Sequence, residues 1–271
     1  MKKIILSIIV MLLVYSVAYG QPVSIEGYDI PIDIKINDIT LKTPVTSFIQ
    51  DDTVYVPLRA ICEAFGANVS WNDETEVATV TRGDISIQIS ENSASNGITK
   101  GYMYHDSLCA PIRLIVQKFG FLVGWDNRYH NVIITDENFT LPDASIDRNA
   151  YSNDDILLLA KLIYAEAGAT TFSEQLGIGS VVMNRVKSSS YPNTISGVIY
   201  DKKWAVQFPP AFDGSLDRDP SGIAIIAAKC AAHGVNNVGS SIGFTYTGDT
   251  ISWITQNMKL HKAFQSVSFY E

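Results

Sequence analysis

The chain has 271 residues, 46% hydrophobic and 18% charged, with a formal net charge of −8. That balance describes one to three folded domains and excludes a disordered chain. With no Lys/Arg run and no basic patch, it also excludes nucleic acid as the partner.

The first residues read as a secretory signal peptide, 1–20. Lys2 and Lys3 form its charged start, Ile4 to Val14 its apolar core, and Ala18-Tyr19-Gly20 its small-residue cleavage site. The apolar run is short for a membrane span of about 20 residues, so no stable membrane insertion is expected after cleavage. Cys62, Cys109 and Cys230 cannot all pair. All three sit in apolar patterns, which favours buried free thiols and leaves a Cys62–Cys109 bridge open. Charge is uneven: residues 21–150 carry 9 Lys+Arg against 18 Asp+Glu, a net of −9, and residues 151–271 a net of −1.

From 21 to 137 the chain is a repeat. A shift of 54 residues lays Asp52, Pro57, Arg59, Ile61, Phe65, Gly66, Val69 and Trp71 on Asp106, Pro111, Arg113, Ile115, Phe119, Gly120, Val123 and Trp125. Each half predicts a short strand, a Pro at a helix start, a helix ended by an αL glycine, a Trp-bearing strand, a polar turn and a second strand. Ile32, Ile34 and Ile36 alternate ahead of the first half, and Ile85, Ile87 and Ile89 ahead of the second. The expectation is a β-rich α+β module. Its V-P-L-R…F-G…V-x-W signature resembles the copper amine oxidase N-terminal-like, stalk-type domain. The reading is an anchoring or spacing module facing the cell wall, with a domain that only stabilises or positions its neighbour as the alternative. No metal is expected, because His105 and His130 are isolated and no ligand spacing occurs.

Residues 138–151 read as a linker, and 152–271 as a mainly helical domain with a minor β element. Ser152 with Asp155 and Thr171 with Glu174 form capping boxes for two helices. A short helix over about Thr194–Tyr200, an Ala-rich helix over Ile223–Gly234 and a helix from Trp253 to Phe264 follow. Gly243–Thr247 and Ser266–Tyr270 read as extended.

Glu166 lies near the end of the first of these helices. Ile163, Leu162 and Leu159, at three, four and seven residues before it, share its face. An acid on an apolar stripe is either an accident at a fraying helix end or a carboxyl kept partly desolvated for chemistry. No H-E-x-x-H is present, and Cys230 with His233 lies inside the Ala-rich helix, which argues against zinc and against a Cys–His peptidase. No G-x-S-x-G or S-x-x-K occurs. Glycoside chemistry remains, because it needs a carboxyl with a raised pKa. Glu174, Asp213, Asp217 and Asp219 are the candidates for a second carboxylate. Glu174 is engaged as a cap, and Asp213, in the turn Phe212-Asp213-Gly214, is the best of the rest.

The blocks Leu159–Ala167, with Tyr164-Ala165-Glu166-Ala167, then Gln175 and Val181–Val186, then Tyr191–Tyr200, carry a family resemblance. They are joined by Gln207-Phe208, Asp213-Gly214 and Trp253-Ile254. Together they resemble the cell wall hydrolases of the SleB/CwlJ type, the spore cortex-lytic enzymes and their relatives. The resemblance implies a lysozyme-like fold, an exported enzyme associated with cell wall or spore cortex, and cleavage of the peptidoglycan glycan strand as a lytic transglycosylase. It makes Glu166 the catalytic acid. It implies no cofactor, and peptidoglycan as partner, with other cell-wall or germination proteins as further ones. Tyr164, Gln207, Phe208, Asp213 and Tyr246 are the expected substrate contacts, with core packing an equal alternative for Phe208 and Tyr246. Asn184 and Arg185 are expected to brace a helix end. Two departures stand out: no Arg follows Glu166-Ala167, and no His occurs in Gln265–Tyr270. A non-catalytic wall-binding protein and an N-acetylmuramoyl-L-alanine amidase are the competing functions.

Overall fold

The computed structural model describes residues 24–92, 97–249 and 252–271, so the expected signal peptide lies outside the described residues. The fold class is α+β. The described chain forms two compact units, one of residues 32–126 and 130–148, the other of residues 25–31, 127–129 and 149–271.

In the first unit the repeat becomes a pseudo-dyad. Strand Thr53–Pro57 pairs antiparallel with Ser107–Pro111, with Val56 opposite Ala110 and Tyr55 and Pro57 opposite Pro111 and Cys109. The two strands are 54-residue equivalents, and of these pairs only Val56 and Ala110 are themselves equivalent, so the local two-fold passes through them. Flanking hairpins extend this sheet to four strands, and their two-residue turns match: Asp51-Asp52 and His105-Asp106 all have positive φ. Two successive positive φ angles are what a type I′ hairpin turn needs. Helix α1 (Leu58–Ala64) and helix α2 (Ile112–Lys118) each follow a Pro with extended backbone. Gly66 and Gly120, at φ +73° and +88°, reverse the chain after them, as the sequence predicts.

The Trp strands Asn68–Asn72 and Leu122–Asp126 start two further sheets. The second is closed by a strand from the chain's start: Asp33–Ile36 lies parallel to Asn131–Thr135. One apolar core joins both repeats, with Ile34, Val56, Ile61, Phe65, Ile115 and Ile134 among its buried members. The segment expected as a linker is largely structured. Leu141 is buried in this core, Leu41 bridges Ile146, and Asp147 N donates to Thr40 O at 2.9 Å. Its Pro, Asp and Ser residues form a short 3-10 turn, Asp143–Ser145, rather than a spacer.

In the second unit three helices pack together: α3 (Asn153–Ala167), α4 (Phe172–Lys187) and α6 (Gly222–Ala232). Both expected capping boxes form. Helix α5 (Ile195–Ile199) lies where expected. The last expected helix is shorter: α7 spans only Trp253–Asn257, and Leu260–Ala263 is a strand instead. That strand is an edge in a three-stranded antiparallel sheet ordered Gly243–Tyr246, Val267–Tyr270, Leu260–Ala263, and all four of its residues are exposed. An edge strand with no buried side chain has no apolar alternation to announce it. The three cysteines are buried free thiols, and burial pushes each up to about 12.

Two glycines of α4 set how closely its neighbours approach. A Cβ at Gly179 would lie 2.9 Å from Ala231 Cβ of α6 and 3.0 Å from Ile163 Cδ1 of α3. One at Gly177 would lie 2.4 Å from the buried ring of Phe269. Helix propensity favours Ala over Gly by about 1 kcal/mol, but overpacking a core costs about 1–3 kcal/mol. Gly177→Ala should therefore lower the thermal midpoint, read by circular dichroism, despite the gain in propensity.

Candidate active site

Helix α3 carries its apolar stripe, with Leu159, Leu162 and Ile163 buried, to its last turn. Glu166 is the last but one residue of that helix and is half-buried where the stripe runs out. Burial raises its pKa above the ordinary carboxylate value. A hydrogen bond from Tyr246 opposes that shift, and the charge of Asp213 adds to it. Burial is the largest of the three causes.

Tyr246 ends strand Gly243–Tyr246, so the C-terminal sheet delivers it to the helix end. Its hydroxyl donates to Glu166 Oε2 and lies 3.2 Å from the Glu166 carbonyl oxygen. The ring is 38% exposed. Burial first, and then the neighbouring Glu166, pushes the phenol far above its usual value, so it stays protonated as a donor.

Asp213 lies in the loop between two 3-10 turns, Pro209–Ala211 and Ser215–Asp217. Gly214 follows with φ +86°, and Asp213 Oδ1 accepts from Ser215 N at 2.8 Å. Hydrogen bonds from Ser215 hold this exposed carboxyl below the ordinary range, so it stays ionised. Two further segments thus bring a protonated phenol and an ionised carboxylate to bear on one raised acid.

The other expected contacts fare differently. Phe208 is 0% exposed and packs against Phe244 at 6.3 Å, beneath the Arg185 guanidinium at 5.0 Å. It is core and has no surface to offer a sugar, which corrects the expectation of a substrate contact. The exposed ring beside Asp213 is Phe212, 41% exposed and edge-on to Tyr200 at 5.9 Å. A loop residue between Pro and Asp has no periodic pattern from which to choose one Phe over the other. Gln207 is half-buried and its Nε2 donates locally to Ala205 O at 3.1 Å. Tyr164, two residues before Glu166, lies along Gly168, where a Cβ would meet its ring at 2.5 Å.

Glu174 does more than cap. Its Oε1 accepts from Ser266 N at 2.6 Å while Oε2 accepts from Thr171 N at 3.1 Å, so it pins the strand turn to α4. Asn184 Nδ2 donates to Gly239 O and Ser241 O, and Arg185 Nε to Ile242 O, each at 2.8 Å. Both brace the loop leading into the Tyr246 strand. Sequence reading missed Glu26, whose carboxylate accepts from Phe172 N and Ser173 N at the start of α4. Its partner is 146 residues away, and no local signal could pair them.

Among the described residues no group of three or more His, Cys, Asp or Glu could hold a metal ion. His105 is engaged with the Tyr104 ring and His130 with the Trp125 ring. No helix of the described residues is long and apolar enough to cross a membrane.

Comparison with known proteins divides the chain in the same two places. Residues 35–134 match the copper amine oxidase N-terminal domain and residues 169–270 the Cell Wall Hydrolase family. The second match begins three residues beyond Glu166. A spore cortex-lytic enzyme of Bacillus cereus is 32% identical over 116 residues, 42% of this chain and 43% of that protein. One of Bacillus subtilis is 34% identical over 84 residues, 31% of this chain and 27% of that protein. The chain therefore spans less than half the length of these relatives. The catalytic domain of the Bacillus cereus SleB protein is 27% identical, with 46% of this chain and 98% of that one covered and a TM-score of 0.42.

The opposed shifts on Glu166 give a test. Tyr246→Phe removes the influence that lowers its pKa and should move the alkaline limb of any activity profile to higher pH. Asp213→Asn removes one that raises it and should move the limb to lower pH. Stability carries the same sign. A carboxyl raised on folding favours the folded state below its unfolded value, and that contribution is lost as pH rises through the folded value. Glu166→Gln should raise the melting temperature at pH 8, with the gain shrinking toward zero as pH falls to 4. The chain is thus similar over residues 35–134 to the copper amine oxidase N-terminal domain and over residues 169–270 to the Cell Wall Hydrolase family.

Proposed function

We propose that the C-terminal unit cleaves the glycan strand of peptidoglycan as a lytic transglycosylase, with Glu166 as its single acid and base. The observation that carries this reading is the carboxyl at the end of α3, raised by burial and held by a protonated Tyr246. A carboxyl whose protonated form burial favours can donate to the glycosidic oxygen as the bond to C1 breaks. The resulting carboxylate then takes the proton of the muramoyl 6-hydroxyl as that oxygen closes on C1. The proton given is recovered, no water is consumed, and a 1,6-anhydro end forms. Tyr246 fixes the carboxyl orientation in both protonation states, since its hydroxyl can donate to either. Tyr200, exposed and edge-on to Phe212, offers ring surface for sugar stacking.

The spore cortex is the proposed form of the substrate, supported by the similarity to the two spore cortex-lytic enzymes. The protein is accordingly proposed to act outside the cytoplasm, at the wall or cortex. The same geometry favours one second reading. Asp213 is ionised and its charge reaches Glu166, so it could serve a hydrolysing muramidase that activates water.

Digestion of cortex and vegetative peptidoglycan with the mature protein, followed by mass spectrometry of the fragments, separates these. New 1,6-anhydro ends are expected, and reducing ends would establish the muramidase instead. New amino and carboxyl groups with intact glycan would overturn both in favour of an amidase. Glu166→Gln should lower the rate by roughly 10²–10⁴-fold, the usual worth of a general acid or base.

A further inference from the structure

The first unit has two grooves that nothing above uses. One, of about 820 Å³, is lined by Pro111, Arg113, Val123, Trp125 and, from the other repeat, Asp52. The second, of about 360 Å³, is lined by Pro57, Arg59, Val69, Trp71 and Asp106. Every residue of the first set is the 54-residue equivalent of one in the second. The grooves are therefore one site occurring twice, related by the dyad through Val56 and Ala110. Each is assembled across the repeats: the helix start and Trp strand come from one, and the type I′ turn bearing the Asp from the other.

The chemistry of each groove is an indole, a guanidinium and a carboxylate on a mostly apolar floor. Trp71 is 45% exposed, yet its Nε1 donates to Asp73 Oδ1 at 2.8 Å, which fixes the ring in place before any ligand arrives. Trp125 is held edge-on by His130 at 5.9 Å. Packing an apolar core requires none of this. A pinned indole, exposed at Trp71 and half-buried at Trp125, suits the C–H face of a pyranose ring, and a neighbouring donor and acceptor suit its hydroxyl and acetamido groups. Pre-organisation spares the ordering cost of binding.

Charge decides between wall polymers. Residues 21–150 carry a net of −9, which repels a polyanion such as a polyphosphate and tolerates a neutral chain. Two copies of one site fit a ligand that itself repeats. We infer that this module binds a neutral N-acetylated hexosamine strand at both grooves, holding the polymer while the other unit acts. The identity of the sugar rests on the reading under Proposed function; the existence of the paired sites does not.

The test uses the full mature chain carrying Glu166→Gln, so that polymer is bound and not cut. Co-sedimentation with purified sacculi, before and after acid removal of wall polyphosphate, is compared for Trp71→Ala, Trp125→Ala, the double variant and Arg59→Ala with Arg113→Ala. Each single Trp change should weaken binding about 3–10-fold, and the double change by about 10²-fold or more, as expected when bivalency is lost. Removing polyphosphate should leave the parent's binding unchanged. The Arg pair, whose side chains stand at the surface, keeps the test sound if Trp125→Ala lowers the melting temperature. Unchanged binding in both the Trp and Arg double variants would overturn the proposal. So would binding that disappears with the polyphosphate. If the wild type releases no glycan fragments while the Trp variants still lose sacculi, the function proposed for Glu166 fails and this site stands.

Discussion

One hydrogen bond holds the catalytic reading together: the Tyr246 hydroxyl reaching the Glu166 carboxyl. Its two ends come from a helix terminus and a strand terminus 80 residues apart, and neither position is fixed locally. The helix end is set by the burial of Leu159, Leu162 and Ile163 against α4 and α6. The strand end is set by pairing with Val267–Tyr270, by the Asn184 and Arg185 side chains bracing the approach, and by Glu174 holding Ser266. Gly177 completes the chain of dependence, because only a residue without a Cβ lets the Phe269 ring of that sheet seat on α4.

Three influences meet on one carboxyl, and their order matters. Burial penalises the charged form most, the Tyr246 donor relieves part of that, and Asp213 restores some of it. Each pKa unit corresponds to about 1.4 kcal/mol between the two protonation states, so a rearrangement at any of the three shifts the balance between them. The acid and base role proposed for Glu166 would draw on such a balance. Strong desolvation alone would leave a weak acid, and a strong donor alone a carboxylate already ionised and a weak base.

Much of this was legible from local signals. Both capping boxes, the αL glycines after α1 and α2, the repeat and the placement of Glu166 on an apolar stripe depend on residues a few positions apart. What was hidden depends on distant partners. The edge strand Leu260–Ala263 buries nothing and so shows no period. Phe208 and Phe212 look alike in a loop, and only the closure of Arg185 and Phe244 over one of them makes it core. The stretch 138–151 has linker composition, yet Leu141 and Ile146 dock on a core already formed by others. Glu26 caps a helix that lies most of the chain away.

The strand Asp33–Ile36 lies beside Asn131–Thr135, its partner residues 98 positions further along the chain. That pairing makes the module a closed loop in sequence: its first strand has no home until its last is present. Loop closure over such a separation is slow compared with helix or hairpin formation. A chain emerging from its N-terminus must therefore keep Ile34 and Ile36 exposed until some hundred further residues have followed. Half of the duplicated module, cut at the repeat boundary, would lack this closing strand pair.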